Sequence, residues 1–138
     1  MKAVIMAGGE GTRLRPLTEK TPKPLTDVCG RPCMSYALDM LCRAGITDVM
    51  ITLRYLADKV VSAFGDSWKG MNLRYSVEHE PLGTAGGVRA CSDFLAGEES
   101  FVVTSGDSVC NMDLARAIEF HNQNRAAATI LLARSRDV

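Results

Sequence analysis

Three glycines, an arginine, a lysine and an aspartate carry the chemistry that this sequence suggests. Gly8, Gly9 and Gly11 fall within four positions, in Ala7-Gly-Gly-Glu-Gly-Thr-Arg13. Glycines so placed let a backbone take left-handed angles and approach a bulky ligand closely. Successive N–H groups of such a turn can form a nest for an anion. Arg13 adds a guanidinium whose fork suits phosphate oxygens. Lys23 stands between Pro22 and Pro24, which restrict the backbone around it. Gly106-Asp107 follows the apolar run Phe101-Val-Val-Thr104, and a carboxylate directly after a buried strand can reach Mg²⁺ carried on phosphates. The chemistry is that of a phosphate-bearing small molecule.

These residues need a frame that brings distant turns together. Ala3-Val-Ile-Met6 is a continuous apolar run ending at glycine, as expected of a strand covered on both faces. Pro32 is expected to open a helix with Met34, Ala37, Leu38 and Leu41 on one face, closed by Gly45. Asp48–Leu53 reads as a second strand, and Leu56, Val60, Val61 and Phe64 line a second helix stopped at Gly65. Leu73, Tyr75 and Val77 alternate in a third strand, and Thr84–Leu95 supports a third helix. Phe101–Thr104 is a fourth strand, Asp113 caps a fourth helix with Leu114, Ala117 and Ile118, and Thr129–Ala133 is a fifth strand.

Such alternation predicts an α/β, doubly wound, Rossmann-like and mainly parallel sheet of order 3-2-1-4-5. Strands one and four are then neighbours, and ligands bind where the turns after them meet. The glycine-rich loop and Gly106-Asp107 occupy those turns.

Composition narrows the partners. Sixteen basic residues balance sixteen acidic ones, so no global field draws the chain to nucleic acid or membrane. Up to Arg31, six basic residues face three acidic ones, which suits a small anion near the N-terminus. Five scattered cysteines read as reduced thiols of a cytoplasmic protein. Cys29 and Cys33 lack the second Cys/His pair that a zinc site needs. His79 can flank a base site, whereas His121, Trp68 and the methionines read as packing residues. The dinucleotide fingerprint fails at Leu14, where a small residue is required, and the Walker sequence is missing, which disfavours a nicotinamide-dependent oxidoreductase.

Gly8-Gly-Glu-Gly-Thr-Arg-Leu-Arg-Pro-Leu-Thr18, followed by Pro22-Lys-Pro-Leu25, resembles the signature of the sugar-1-phosphate nucleotidyltransferases, or sugar-nucleotide pyrophosphorylases. Gly30-Arg-Pro32, Ala44-Gly-Ile46, Pro81-Leu-Gly-Thr-Ala-Gly86 and Gly106-Asp107 follow in the same order, so the likeness runs from Lys2 to about Ala133. The motifs are most similar to those of mannose-1-phosphate guanylyltransferases. The resemblance implies in-line attack by a sugar 1-phosphate on the α-phosphorus of a nucleoside triphosphate, with Mg²⁺ as cofactor and pyrophosphate as leaving group. It implies nucleotide contacts for Ala7, Gly8, Gly9, Gly11 and Thr12, pyrophosphate stabilisation by Arg13, and Lys23 beside the reacting phosphates. Asp107 is implied as one of two metal carboxylates. Asn111, where many relatives are acidic, is not assigned to metal.

Glu78-His-Glu80-Pro-Leu-Gly-Thr-Ala-Gly86 resembles the base-recognition loop, which implies nucleotide contacts for Glu78, Pro81, Gly83 and Thr84. An ionised carboxylate only accepts hydrogen bonds, and guanine offers it two adjacent donors. GTP is the expected nucleotide and mannose 1-phosphate the sugar implied by resemblance. Family members continue with sugar-binding strands and a second metal aspartate. Residues 1–138 are therefore expected to be the N-terminal nucleotide-binding part, with its last strand edge uncovered and little turnover alone. The contrasting reading is a non-catalytic regulatory subunit of the same fold, whose phosphate loop tends to be eroded. Homo-oligomerisation is left open.

Overall fold

A computed structural model describes residues 1–132. Its sheet contains β1 (Lys2–Met6), β4 (Asp48–Leu53), β5 (Ser67–Trp68), β6 (Met71–Val77) and β7 (Val102–Ser105), in the order β5-β6-β4-β1-β7. The pairs β1–β4, β1–β7 and β4–β6 are parallel, and the short β5 is antiparallel to β6. A two-stranded ribbon, β2 (Asp27–Val28) with β3 (Arg31–Pro32), stands apart.

Helices cover both faces, as the apolar runs require. Ala3, Val4 and Ile5 are all fully buried. Ala3 and Ile5 belong to the larger core with Val49, Ile51 and Leu53, covered by α1 (Met34–Arg43), α2 (Ala57–Phe64) and α5 (Leu114–Asn124). Val4 faces the other way, into a smaller cluster with Cys91 and Leu95 under α3 (Gly83–Arg89) and α4 (Ser92–Leu95). The architecture is the doubly wound α/β fold read from the sequence, and the four long strands stand in the expected order.

Local differences have physical causes. Pro32 lies in the β2–β3 ribbon rather than opening α1, because Asp27 pairs with it across a turn at Cys29-Gly30. The third helix divides at Ala90-Cys91, where Cys91 turns inward and is nearly fully buried beside Val4. β5 was not read from the sequence. Its turn, Lys69-Gly70, has φ of 48° and 86°, a left-handed pair that closes a tight hairpin. The fourth strand runs one residue later than expected, to Ser105. Asp113 does cap α5, accepting from the Arg116 N–H at 3.1 Å.

The fifth strand is a correction. Thr129–Leu132 forms no strand, and Ala133 lies outside the described residues. A strand needs a pairing edge. This segment instead follows α5, where His121 Nδ1 lies 2.9 Å from Thr129 Oγ1.

The register sets up the site. Met6 pairs with Thr52 on one side and Ser105 on the other, and Leu53 pairs with Val77. The residues after β1, β4, β6 and β7 therefore emerge at one end of the sheet, in a row.

Candidate nucleotide site

The turns after β1 and β7 touch. The Gly106 N–H donates to the Met6 carbonyl at 2.9 Å, and a side chain on Gly106 would meet Ala7 Cβ at 3.0 Å and Ile5 Cγ2 at 3.1 Å. On the other flank the Ala7 N–H donates to the Thr52 carbonyl at 2.9 Å. The start of the glycine-rich loop is thus pinned between β4 and β7.

Its far end is built on Lys23. Gly11 has φ +66°, the left-handed region where a side chain is strained, and any Cβ there would lie 2.8 Å from Lys23 Cγ and 2.9 Å from Thr18 Cγ2. The Gly11 carbonyl accepts from Leu14 N–H at 2.9 Å and from Thr18 Oγ1 at 2.7 Å, which opens the 3₁₀ turn Thr12–Leu14. Lys23 starts a second 3₁₀ turn, Lys23–Leu25, between the buried Pro22 and Pro24. The long polar loop is tied down to α2 and its approach: Tyr55 Oη donates to the Glu19 carbonyl at 2.8 Å, and Lys59 Nζ to that of Lys20 at 2.5 Å.

From beneath Gly11 the Lys23 ammonium reaches Asp107 Oδ2 at 3.0 Å, bridging 84 residues of sequence. Ser105 Oγ donates to Asp107 Oδ1 at 2.5 Å. The Ser105 hydrogen bond, and after it the bond and charge of Lys23, overcome partial burial and hold the Asp107 carboxyl below the usual carboxylate range. Asp107 is ionised at neutral pH. Nearby, burial and the Asp107 charge push the Cys33 thiol upward, against the pull of Lys23.

The cleft above these turns has a volume of about 350 Å³. Of the residues singled out from the sequence, Ala7, Gly8, Gly9, Lys23, Glu78, Pro81, Gly83, Thr84 and Asp107 line it. Gly11, Thr12 and Arg13 do not. Gly11 acts from behind, as the seat for Lys23, whereas Thr12 and Arg13 lie exposed on the outer turn, and Arg13 forms no ion pair among the described residues. Six further residues line it that the sequence does not assign to the site: Met6, Pro24, Thr52, Arg54, Gly87 and Ser105. Thr52, Arg54 and Ser105 sit at carboxyl ends of parallel strands, where open α/β sheets place ligands, and that rule was the available signal.

Glu78 marks the other end. Its N–H donates to the Leu53 carbonyl at 2.7 Å, continuing the sheet beyond β6. A Cβ on Gly87 would stand 2.7 Å from Glu78 Oε1, so the carboxylate rests against the bare backbone of α3. Burial first, and the Glu78 charge second, raise the Cys91 thiol, whose Sγ donates to the Gly87 carbonyl at 3.3 Å. Across the cleft the order is a carboxylate at Glu78, a glycine-rich turn, then an ammonium and a carboxylate at Lys23 and Asp107. That spacing suits an elongated anion with a polar head.

Among the described residues no cluster of three or more His, Cys, Asp or Glu side chains could enclose a metal ion. The Asp107 carboxylate on the cleft has the donor chemistry of a Mg²⁺ ligand, since Mg²⁺ keeps waters and takes one or two carboxylates rather than a protein cage. No helix among the described residues is long and apolar enough to cross a membrane.

The family model described as nucleotidyl transferase matches residues 2–138. Mannose-1-phosphate guanyltransferase 2 of Candida glabrata is 38% identical over 134 residues, covering 95% of this chain and 37% of that protein. The crystal structure described as a glucose-1-phosphate thymidylyltransferase from Bacillus anthracis in complex with a sucrose superposes with a TM-score of 0.81 at 34% identity, covering 89% of this chain and 50% of that one. HddC from Yersinia pseudotuberculosis, complexed with GMP-PN, gives a TM-score of 0.76 at 30% identity, covering 87% and 53% respectively. The chain thus spans 37% to 53% of the length of these proteins.

Proposed function

The chain belongs to the nucleotidyl transferase family, and we propose that residues 1–138 are the nucleotide-binding part of a sugar-1-phosphate nucleotidyltransferase that uses GTP and mannose 1-phosphate. The observation that carries this is the contact between the two turns. Gly106 packs on Ala7, and Lys23 runs under Gly11 to Asp107, so one polyphosphate can touch the glycine-rich loop, the ammonium and the carboxylate together.

In the reaction, the backbone N–H groups of Gly8 and Gly9 cradle the phosphates, and Lys23 opposes charge that builds on them as the α-phosphorus is attacked. Arg13, on the exposed turn, meets the departing pyrophosphate from outside the cleft. Asp107, with Ser105 orienting it, would hold Mg²⁺, which when bound neutralises phosphate oxygens. No side chain becomes covalently attached. Alignment and charge supply the rate.

The base reading rests on Glu78. A carboxylate held against Gly87 accepts from the ring N–H and the exocyclic amine of guanine, whereas uracil and thymine offer one donor between acceptors. The guanyltransferase relative and the GMP-PN complex of HddC support GTP, and the relative's name supports mannose 1-phosphate. Five free thiols support a cytoplasmic location.

Titration calorimetry of GTP, ATP, UTP and dTTP tests the base assignment. Wild-type protein is expected to favour GTP, and Glu78→Gln to lose at least about tenfold in that preference, as mispaired polar edges do. An unchanged ranking removes Glu78 from base recognition. The same measurement with and without Mg²⁺ tests the carboxylate. Asp107→Asn is expected to abolish the Mg²⁺-dependent gain in GTP affinity while leaving metal-free binding in place.

A further inference from the structure

The cleft holds an ion pair that neither the sequence reading nor the proposed chemistry uses. Arg54, the residue after β4, lines the cleft, and its Nη2 donates to Glu10 Oε1 at 3.0 Å across 44 residues of sequence. Glu10 lies within the glycine-rich loop itself, between Gly9 and Gly11. The two side chains are 29% and 40% exposed. Backbone and packing hold them together: Ala7 is hydrogen-bonded to Thr52, and a Cβ on Gly8 would lie 3.5 Å from that of Arg54.

A carboxylate in a loop that receives a polyphosphate is an electrostatic contradiction. Left unpaired, Glu10 would repel the phosphates from inside their own cradle. The Lys23 ammonium is directed to Asp107, at 3.0 Å, and the cation that Glu10 meets is Arg54.

We propose that Arg54 is a positioning residue that masks Glu10, fastening the glycine-rich loop to the end of β4 and cancelling a charge that would otherwise weaken triphosphate binding. The proposal rests on the reading of the cleft as a nucleoside triphosphate site. It separates two roles for an arginine beside phosphates: one that touches the nucleotide, and one that neutralises a neighbour of the nucleotide.

The 138-residue chain is titrated by calorimetry with guanosine, GMP, GDP and GTP in the presence of Mg²⁺, as wild type and as Arg54→Gln, Arg54→Lys, Glu10→Gln and the double Glu10→Gln/Arg54→Gln variant. Arg54→Gln is expected to weaken GTP about three- to fivefold, the scale of one partly exposed charge pair, GMP by less, and guanosine not at all. Arg54→Lys keeps the charge and is expected to bind GTP as wild type does. The double variant is expected to return to within about twofold of wild type, since the charge to be masked is gone too. High salt is expected to shrink the Arg54→Gln deficit.

A deficit that the double variant does not repair means that Arg54 meets the nucleotide directly, and the masking role falls. Equal losses for guanosine and GTP, or no loss for either, overturn it as well. Wild-type protein that binds no nucleoside triphosphate removes the site reading and masking together, whereas tight wild-type binding with any of the preceding outcomes removes masking alone.

Discussion

Glu78 shows how much of a site depends on what a neighbour lacks. Its carboxylate occupies the space that a side chain at position 87 would fill, 2.7 Å from the place of a Cβ. The far end of a glutamate is flexible, so Gly87→Ala is tolerated by the fold, and the better helix propensity of alanine offsets part of the crowding. The carboxylate must nonetheless move. Gly87→Ala is expected to leave the melting temperature within a few degrees of wild type while the ratio of GTP to ATP affinity falls at least about threefold. Retained discrimination, alongside its loss in Glu78→Gln, would show that Gly87 does not position the carboxylate. At this scale the sequence was legible where residue type and motif spacing carry the signal, as at Gly8, Lys23 and Asp107. Arg54 and Gly87 were not legible, because their parts come from partners brought near only by the fold: Glu10 across 44 residues, and Glu78 on another element. Arg13 is placed differently. Its residue type predicts a phosphate contact, and it stands exposed on the turn outside the cleft lining.

Elements are joined by a different carboxylate. Asp39 on α1 accepts from Arg31 Nη2 of β3 at 2.7 Å, from Trp68 Nε1 of β5 at 2.9 Å, and pairs with Lys69 Nζ in the β5–β6 turn at 2.9 Å. One side chain therefore ties the ribbon, the first helix and the hairpin together. Partial burial pushes the Asp39 pKa up, but hydrogen bonds from Lys69, Arg31 and Trp68 outweigh it and lower the value to about 2 from the usual 3.8. A depressed carboxyl pKa contributes stability that is fully present above the unfolded value and is lost as pH falls through the folded one. The clip is thus intact at neutral pH and is expected to weaken between about pH 4 and pH 2. Asp39→Asn leaves Arg31 and Lys69 facing each other and is expected to cost about 2 kcal/mol at pH 7, roughly 6–10 °C in melting temperature. Below about pH 2 the variant and wild type should converge. A constant gap across that range would assign the loss to packing instead. The hairpin that Asp39 grips was not read from the sequence because two-residue strands carry no periodicity, and only the left-handed Lys69-Gly70 pair betrays it. The third helix read as continuous because Val88, Cys91 and Leu95 keep helical spacing, although the chain breaks between them to bury Cys91.

For the whole molecule, the alternation of four strand-like segments with helical ones was enough to predict the layers and the strand order. What they did not show was the outer edge. β7 is paired only with β1 among the described residues, and the apolar Thr129–Leu132 does not join it: Ile130 and Leu132 are 81% and 90% exposed. An apolar run predicts a strand only when an edge and a covering layer are supplied together, and periodicity carries no information about either. Under the proposed function this edge has a consequence for catalysis, because Asp107 lies in the turn after the outermost strand. Residues 107–111 are exposed, so the cleft is open to water at its Asp107 end. Nucleotide binding draws on the turns that line the cleft. Transfer needs more, since a second substrate must be held in line with the α-phosphorus while water is kept away. The 138-residue chain is therefore expected to saturate with Mg²⁺-GTP in calorimetry, yet to release pyrophosphate no faster than a protein-free control when mannose 1-phosphate is added. Pyrophosphate release above that control, sustained over many turnovers and abolished by Asp107→Asn, would show that the open end suffices to align both substrates, and this account of the sheet edge would be wrong.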